Sequence, residues 1–238
     1  MYTQSARYYD ALYRSMRKDY SAEAQVVAGV VDRLKTSPGN ELLDVACGTG
    51  LHIAELRDRF VCEGLDLDRG LLGIAAARNP GVEFHLADMV GFNLGKKFDV
   101  ITCLFSAIGY VPNAMRLSQT IQTFARHLKP GGVVLVEPWF TPDRWIDGHL
   151  SALYVDEPDV KAARMSISRR DGNVAVLNFH YMVASSDGVR TFTEAHRLTL
   201  FTHEEHMEAF RKAGLRVEYD ATGPMGRGLY VGTLPLPG

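Results

Sequence analysis

The chain has 238 residues, of which 46% are hydrophobic and 23% charged, and its formal net charge is −2. This composition excludes a disordered or fibrous protein and fits one large α/β domain, which we expect over residues 1–238. The sequence has no block of basic residues. It therefore predicts neither binding to nucleic acid nor binding to an anionic membrane surface.

The cysteines and the apolar runs indicate the cellular compartment. Cys47, Cys62 and Cys103 lie inside or beside apolar runs, and their odd number and spacing do not suit a structural metal site. We therefore expect buried, reduced thiols and a cytoplasmic protein. No apolar run reaches the ~18 residues of a transmembrane helix, and the first residues do not resemble a signal peptide.

Residues 1–137 alternate between strand and helix patterns. An aromatic and basic segment precedes a helical pattern for which Ser21 is the predicted N-cap, and a later helical pattern extends to Leu128. Short apolar runs predict parallel strands at 42–46, 61–68, 82–88, 98–105 and 133–137. Five such alternations predict a doubly wound, mostly parallel sheet with its ligand site at the carboxyl ends of the strands.

The pattern changes after Pro138. Residues 141–201 are rich in strand-forming residues and turn signals, and we expect an inserted antiparallel sheet there, with three strands between 161 and 201. Thr202 and Glu205 then have the spacing of a capping box. The last strands, 215–219 and 229–233, are expected to pair antiparallel at the edge of a seven-stranded main sheet.

A glycine-containing turn follows the first predicted strand. The third glycine of a dinucleotide-binding fingerprint is absent, because Ile53 occupies its position, and no Gly-Lys-Ser/Thr sequence is present. Asp44 precedes the turn and would repel a pyrophosphate, whereas it suits a ligand that carries an ammonium group. A plain tight turn is the alternative interpretation of this motif.

Two further acids end the next two predicted strands. Asp66 lies 22 residues after Asp44, where a carboxylate can bind both hydroxyls of a ribose. Asp88 suits the amino group of an adenine, and Met89 beside it offers an apolar surface to the ring. A single acid at a strand end is usually a solvated cap, but three in series beside a glycine turn predict a nucleoside-binding site.

These motifs resemble those of the class I S-adenosylmethionine-dependent methyltransferases, on residues 43–50, 64–67, 87–89 and 128–132. Further stretches resemble one branch, the N-methyltransferases that make dimethylamino sugars on dTDP. They are residues 9–10, 18–20, 105–110, 136–139, 179–184, 196–201 and 223–229. The first set of motifs is common to many methyltransferases. The second set is specific to a much smaller group of enzymes and extends along most of the chain.

The resemblance implies that S-adenosylmethionine is the cofactor and suggests which residues hold it. Ala46 and Gly48 would border its methionine part, Leu104 would cover the ring, and Tyr9 and Tyr20 would close over it. For the two tyrosines, simple packing of an N-terminal helix is an equally good explanation. The full predicted set is Tyr9, Tyr20, Asp44, Ala46, Gly48, Asp66, Leu67, Asp88, Met89 and Leu104.

The resemblance also suggests substrate-binding residues for a nucleotide sugar. Arg227, in a glycine-flanked loop, suits bidentate binding of a pyrophosphate, or is an exposed loop arginine. Tyr110, after the fourth strand, is the candidate catalytic residue, as an orienting group or weak proton acceptor rather than an obligatory base. The remaining candidates are Tyr2, Arg164 and His180, the last of which lies either at the substrate or on a solvated face.

The sequence leaves the presence of a metal, the substrate and the oligomeric state to be decided. His203 and His206 have a spacing that two zinc ligands can have, but the capping box already explains them, and we expect no metal. The substrate is an amino sugar, or another small amine or hydroxyl compound, or the chain is a non-catalytic S-adenosylmethionine-binding module. The resemblance also suggests a homodimer formed through the β-rich insertion.

Overall fold

The computed structural model describes residues 4–237, which form a seven-stranded sheet and a separate four-stranded sheet. The strands of the first sheet are β1 (Glu41–Val45), β2 (Val61–Asp66), β3 (Glu83–Leu86), β4 (Phe98–Cys103), β5 (Leu128–Val136), β10 (Arg216–Asp220) and β11 (Leu229–Thr233). Their order is β10-β11-β5-β4-β1-β2-β3, and β11 pairs antiparallel with both of its neighbours. The predicted doubly wound sheet and its antiparallel edge pair are thus confirmed.

Helices cover both faces of this sheet. They are α1 (Tyr9–Ser15), α2 (Tyr20–Leu34), α3 (Leu51–Leu56), α4 (Arg69–Arg78), α5 (Ala114–Arg126) and α6 (His203–Lys212). One core cluster packs α5 and α6 against the sheet, including Leu117, Phe124 and Phe210, and another packs α2 and α3, including Val27 and Ile53. None of the helices within residues 4–237 is both long and apolar enough to cross a membrane.

The second sheet is antiparallel throughout and has one strand more than the sequence predicted. Its strands are β6 (Leu150–Glu157), β7 (Val160–Asp171), β8 (Val174–Ser185) and β9 (Gly188–Thr199), in that order. Residues 150–157 were missed because both faces of β6 carry apolar side chains, which hides the alternation of a half-buried strand. The inner face of the sheet packs on α1 through Leu12, Tyr181 and Val183.

Several element boundaries also differ from the prediction. Asp19, not Ser21, caps α2, because its carboxylate accepts a hydrogen bond from the Ala22 N–H at 2.9 Å. Leu128 begins β5 instead of ending α5, and β5 accordingly starts before the predicted residue 133. The capping box of Thr202 and Glu205 is present as predicted at the start of α6.

Candidate active site

Asp44 is a buried carboxylate near the carboxyl end of β1. The parallel register of β1 and β4 sets it beside Thr102, whose hydroxyl donates to Asp44 Oδ1 at 2.7 Å. The other oxygen, Oδ2, has no hydrogen-bond partner among the described residues, although the residue is only 1% exposed. Burial raises the pKa of Asp44. An isolated buried carboxylate is costly, so this oxygen is suited to pair with a cationic ligand group.

The turn after β1 is held in shape by Asp66, at the end of β2. Ala46, Gly48 and Gly50 all have positive φ, which lets the chain reverse within a few residues. Asp66 Oδ2 accepts a hydrogen bond from the Gly48 N–H at 2.8 Å, and Oδ1 accepts one from the Asp68 N–H at 2.9 Å. Each oxygen keeps a lone pair for a ligand hydroxyl.

Two neighbouring cavities lie over this turn and share Tyr9, Ala46, Gly48, Leu104 and Phe105 as lining residues. The larger, of about 230 Å³, is also lined by Asp66, Leu67, Asp88, Met89 and Tyr110. The narrower is also lined by Tyr20, Asp44 and His52. The structure therefore brings together all ten residues that the sequence assigned to a cofactor.

The N-terminal segment is tied to the turn by an ion pair. The Arg78 guanidinium bonds both the Asp10 carboxylate and the Thr49 carbonyl oxygen, and the Thr49 hydroxyl donates to Asp10 at 2.7 Å. These contacts hold α1, which begins at Tyr9, over the cavities. Burial raises the pKa of Tyr9 well above its ordinary value, so Tyr9 carries a neutral phenol.

The loop after β4 forms the other wall of the site in a strained backbone conformation. Phe105 and Ser106 have φ of 53° and 61°, in the left-handed region that non-glycine residues seldom adopt. The Phe105 N–H donates to Glu137 Oε2 at 2.6 Å, and the Ser106 hydroxyl donates to the Pro138 carbonyl oxygen at 2.6 Å. Glu137 thereby fixes the backbone that presents Leu104, Phe105 and Tyr110 to the larger cavity.

Arg227 lies against the same carboxylate. Its Nε and Nη2 donate to Glu137 Oε1 at 3.1 and 2.8 Å, and its guanidinium carbon lies 5.5 Å from the centre of the Phe105 ring and 5.8 Å from that of Trp139. Its side chain is 13% exposed, so it is not the exposed loop arginine that the sequence left open. The ring of Phe105 thus contacts Arg227 and also lines both cavities.

The other predicted substrate residues are distributed differently. Arg164 is buried on the inner face of the second sheet, 4.4 Å from the centre of the Phe179 ring, and does not line either cavity. His180 pairs with Thr193 on the exposed outer face, so the structure does not bring it to the site of its own chain. Tyr2 lies outside the described residues.

The predicted site residues do not include His196 and Glu194, and both are buried beside Tyr110. The Tyr110 hydroxyl lies 2.7 Å from His196 Nδ1, and His196 Nε2 lies 4.0 Å from Glu194 Oε2. The alternation of Glu194, His196 and Leu198 in β9 places them on one face of a strand. That spacing was available in the sequence, but which face meets the loop after β4 depends on tertiary packing.

The two histidines considered as metal ligands have other contacts. His203 Nδ1 lies 2.9 Å from the Tyr230 hydroxyl, and His206 is buried with its ring stacked on Tyr230 at 4.5 Å. Elsewhere, Glu63, Glu83 and His85 lie close enough to share an ion. Lys96 already pairs with both glutamates, however, which reduces the negative charge that would attract a metal cation.

The residues around the cavities fit S-adenosylmethionine. The unpartnered oxygen of Asp44 in the narrower cavity suits the ammonium group of an amino acid, and Asp66 suits the ribose hydroxyls. Leu67, Met89 and Leu104 give the larger cavity apolar walls for a planar ring. Asp44 on β1, Asp66 at the end of β2 and Met89 after β3 follow the order of these strands in the sheet, which matches the order of methionine, ribose and adenine in the cofactor.

Comparisons with known proteins agree with this geometry. Residues 42–132 match the family model described as a methyltransferase domain. The dTDP-3-amino-3,6-dideoxy-alpha-D-glucopyranose N,N-dimethyltransferase of Streptomyces fradiae is 42% identical over 98% of this chain and 91% of its own length. The dTDP-3-amino-3,4,6-trideoxy-alpha-D-glucopyranose N,N-dimethyltransferase of Streptomyces venezuelae is 44% identical over 94% of this chain and 95% of its own.

Solved structures extend the similarity to the whole fold. The crystal structure of DesVI from Streptomyces venezuelae superposes with a TM-score of 0.91 at 42% identity and covers 99% of both chains. The structure of CalS10, an amino pentose methyltransferase from Micromonospora echinaspora with S-adenosylmethionine bound, superposes with a TM-score of 0.84 at 39% identity. The match covers 95% of this chain and 96% of that chain. The chain thus belongs to the family of S-adenosylmethionine-dependent sugar N-methyltransferases that includes these dTDP-amino-sugar N,N-dimethyltransferases.

Proposed function

We propose that the protein transfers methyl groups from S-adenosylmethionine to the amino nitrogen of a dTDP-linked amino-deoxysugar. The observation that carries the proposal is the arrangement around Phe105. This ring lines both cavities that fit the cofactor, and the Arg227 guanidinium carbon lies 5.5 Å from its centre. Relatives that are 40–44% identical act, by their names, on dTDP-3-amino or dTDP-4-amino sugars, which supports this substrate class.

The chemistry asks the protein chiefly to position two reactants. The cofactor supplies a methyl group on a sulfonium, which a neutral amine can attack directly. The strained loop at Phe105 and Ser106 leads to Tyr110, which lines the same cavity as most of the residues assigned to the cofactor. Holding two reactants in line can supply up to ~7–11 kcal/mol of the barrier in well-oriented systems.

The cofactor assignment predicts the effect of changing Asp66. Asp66→Ala should weaken the binding of S-adenosylmethionine by about 10- to 100-fold, since a hydrogen bond to a charged group contributes ~1.5–3 kcal/mol. Titration calorimetry on the wild type and the variant measures this difference. Asp58→Ala, which removes an exposed carboxylate on another turn, should leave the affinity unchanged.

Asp66 also supports the turn, so a second variant separates binding from folding. Asp66→Asn keeps an oxygen that can accept the Gly48 N–H, but it loses the negative charge and one acceptor for the ribose. Like Asp66→Ala, Asp66→Asn should weaken the binding of S-adenosylmethionine. Equal binding heats for the wild type and both variants would contradict the assignment of the pocket.

The substrate proposal is tested with a panel of nucleotide sugars. With S-adenosylmethionine present, mass spectrometry should show the mass gain of one or two methyl groups on dTDP-linked 3-amino or 4-amino deoxysugars. The matching dTDP sugars with a hydroxyl in place of the amine should remain unmodified. Methylation of the hydroxyl sugars, or of a small free amine in preference to the nucleotide sugars, would favour the rival substrates. Cofactor binding without turnover of any panel member would favour a non-catalytic module.

Arg227 is proposed to bind the diphosphate of the substrate through the N–H groups that Glu137 does not use. Arg227→Lys keeps a cation beside the buried Glu137 but loses the planar, bidentate geometry. The KM for the nucleotide sugar should rise about tenfold or more, with the affinity for S-adenosylmethionine within twofold of wild type. Arg211→Lys, on the exposed side of α6, is the matched control. An unchanged KM in Arg227→Lys would remove Arg227 from the substrate site.

We further propose that the protein forms a homodimer through the outer face of the second sheet. On this face Tyr154, Ala163, Met182 and Thr191 form one cross-strand row. The large apolar side chains of the whole outer face are 50–74% exposed; they are Leu150, Tyr154, Met165, Met182 and Val189. An apolar patch of this kind is unusual on a monomer and common at subunit interfaces.

Met182→Glu should dissociate this dimer, because it places a charge in the middle of the apolar face. Light scattering after gel filtration should give twice the 26.4 kDa chain mass for the wild type and one chain mass for the variant. Met115→Glu makes the same change at an exposed methionine on α5 and should remain dimeric. A wild type that elutes as a monomer at micromolar concentration would contradict the proposal.

We infer a cytoplasmic location from the thiols. Cys47, Cys62 and Cys103 are free and buried, and burial raises the pKa of Cys62 to about 12. Such thiols are largely protected from oxidation and suit a reducing compartment.

A further inference from the structure

A buried acid–base pair lies next to Tyr110, and neither of its members lines the larger cavity, which Tyr110 does. The Tyr110 hydroxyl lies 2.7 Å from Nδ1 of His196, which belongs to β9 and is 1% exposed. Nε2 of the same ring lies 4.0 Å from Glu194 Oε2. The order from the cavity inward is therefore a phenol, an imidazole and a carboxylate.

Three hydrogen bonds hold the Glu194 carboxylate in place. Its Oε2 accepts the Ser5 hydroxyl at 2.5 Å, and its Oε1 accepts the N–H groups of Gln4 and Ser5 at 2.8 and 3.1 Å. These donors stabilise the negative charge of a carboxylate that is otherwise buried. A carboxylate on the Nε2 side favours the tautomer with its hydrogen on Nε2, which leaves Nδ1 as the acceptor of the Tyr110 hydrogen bond.

His196 is neutral when the site is at rest. Burial lowers its pKa to about 4, the nearby Glu194 acts in the opposite direction, and the positive charge of Arg164 acts in the same direction as burial. Among the described residues, the titratable or charged groups that act on the imidazole are Tyr110, Glu194 and Arg164. At neutral pH the imidazole is therefore uncharged, with a lone pair aimed at Tyr110.

We propose that Tyr110, His196 and Glu194 form a proton relay that takes from the substrate's amino group the proton it must lose before each methyl transfer. This proposal rests on the proposed amine substrate. A sugar amine enters mostly as an ammonium ion, which has no lone pair for the methyl group. The ammonium N–H bond breaks toward the Tyr110 oxygen while the Tyr110 O–H bond breaks toward His196 Nδ1. The products are a neutral amine, an intact phenol and an imidazolium facing Glu194. Once the methylated product has left, the reverse shift through Tyr110 passes this proton to water in the open cavity, so the imidazole is neutral again for the next transfer.

In the relay, Tyr110 does not have to be a phenolate in order to accept a proton. A phenol ordinarily titrates near ~10, and a phenolate would be scarce at neutral pH. In a concerted transfer Tyr110 accepts one proton as it gives up another, so no phenolate accumulates. His196 acts through Tyr110 and does not touch the substrate. The carboxylate of Glu194 partly offsets the cost of the buried imidazolium.

The simpler alternative is that His196 only orients Tyr110 by accepting its hydrogen bond. His196→Asn distinguishes the two roles, because the asparagine oxygen can still accept from Tyr110 but cannot take up the proton. If the relay operates, kcat of this variant at pH 7 should fall about 10- to 100-fold, toward the lower end of the range for acid–base catalysis. The KM values for both substrates should stay within about twofold.

The pH profile gives the decisive measurement. As the pH rises past the pKa of the substrate amine, the amine arrives already neutral and needs no relay. The kcat of His196→Asn should therefore climb toward the wild-type value between pH 7 and 9.5, and Tyr110→Phe should show the same recovery. His149→Asn, an exposed histidine in the loop before β6, is the matched control and should follow the wild-type profile.

Two results would overturn the relay: no loss of kcat in His196→Asn at pH 7, or a loss of equal size at every pH. Calorimetry with S-adenosylmethionine verifies that each variant is folded, and Tyr110→Phe carries the test if His196→Asn does not fold. Wild-type turnover of the amino sugar reports on the proposed function, whereas the ratio of variant to wild type at each pH reports on the relay.

Discussion

The burial of carboxylates is the physical constraint on which this site depends. A carboxylate removed from water costs several kcal/mol unless donors or cations surround it. Asp66 is compensated by two backbone N–H groups, Glu137 by Arg227 and the Phe105 N–H, and Glu194 by Ser5 and Gln4. In each case the compensating contact also fixes a part of the site: the glycine turn, the strained loop after β4, or the segment before α1.

Asp44 differs from these acids in a way that points to its role. One oxygen accepts the Thr102 hydroxyl, whereas the other has no partner within residues 4–237. The free-energy cost of burying this carboxylate oxygen without a partner is offset when a cationic ligand binds. A buried carboxylate attracts a cation more strongly than an exposed carboxylate would. The ammonium group of S-adenosylmethionine fits this description, and a pyrophosphate does not.

Much of the main sheet and of the cofactor site could be predicted from local sequence. The acids Asp44, Asp66 and Asp88 each follow a short apolar run, and parallel strands bring their carboxyl ends to one edge, so chain order alone brings these acids together. The second sheet was less predictable, since its function depends on which face of each strand is buried. His180 and His196 both occur in polar, β-rich stretches, but the register of β8 and β9 turns His180 outward and leaves His196 inside. The local sequence pattern does not predict the register in which these two strands pair.

The two faces of the second sheet carry different groups of residues. The inner face carries His196 and Glu194 to Tyr110, and the outer face carries the apolar residues proposed to meet a second copy. The inner face is covered by α1, whereas the apolar residues of the outer face are exposed within this chain. The distance between Tyr110 and His196 is set across two parts of the fold, since Tyr110 follows β4 and His196 belongs to β9. The proposed dimer interface and the proposed relay therefore share strand β9, which carries Val189 on its outer face and His196 on its inner face.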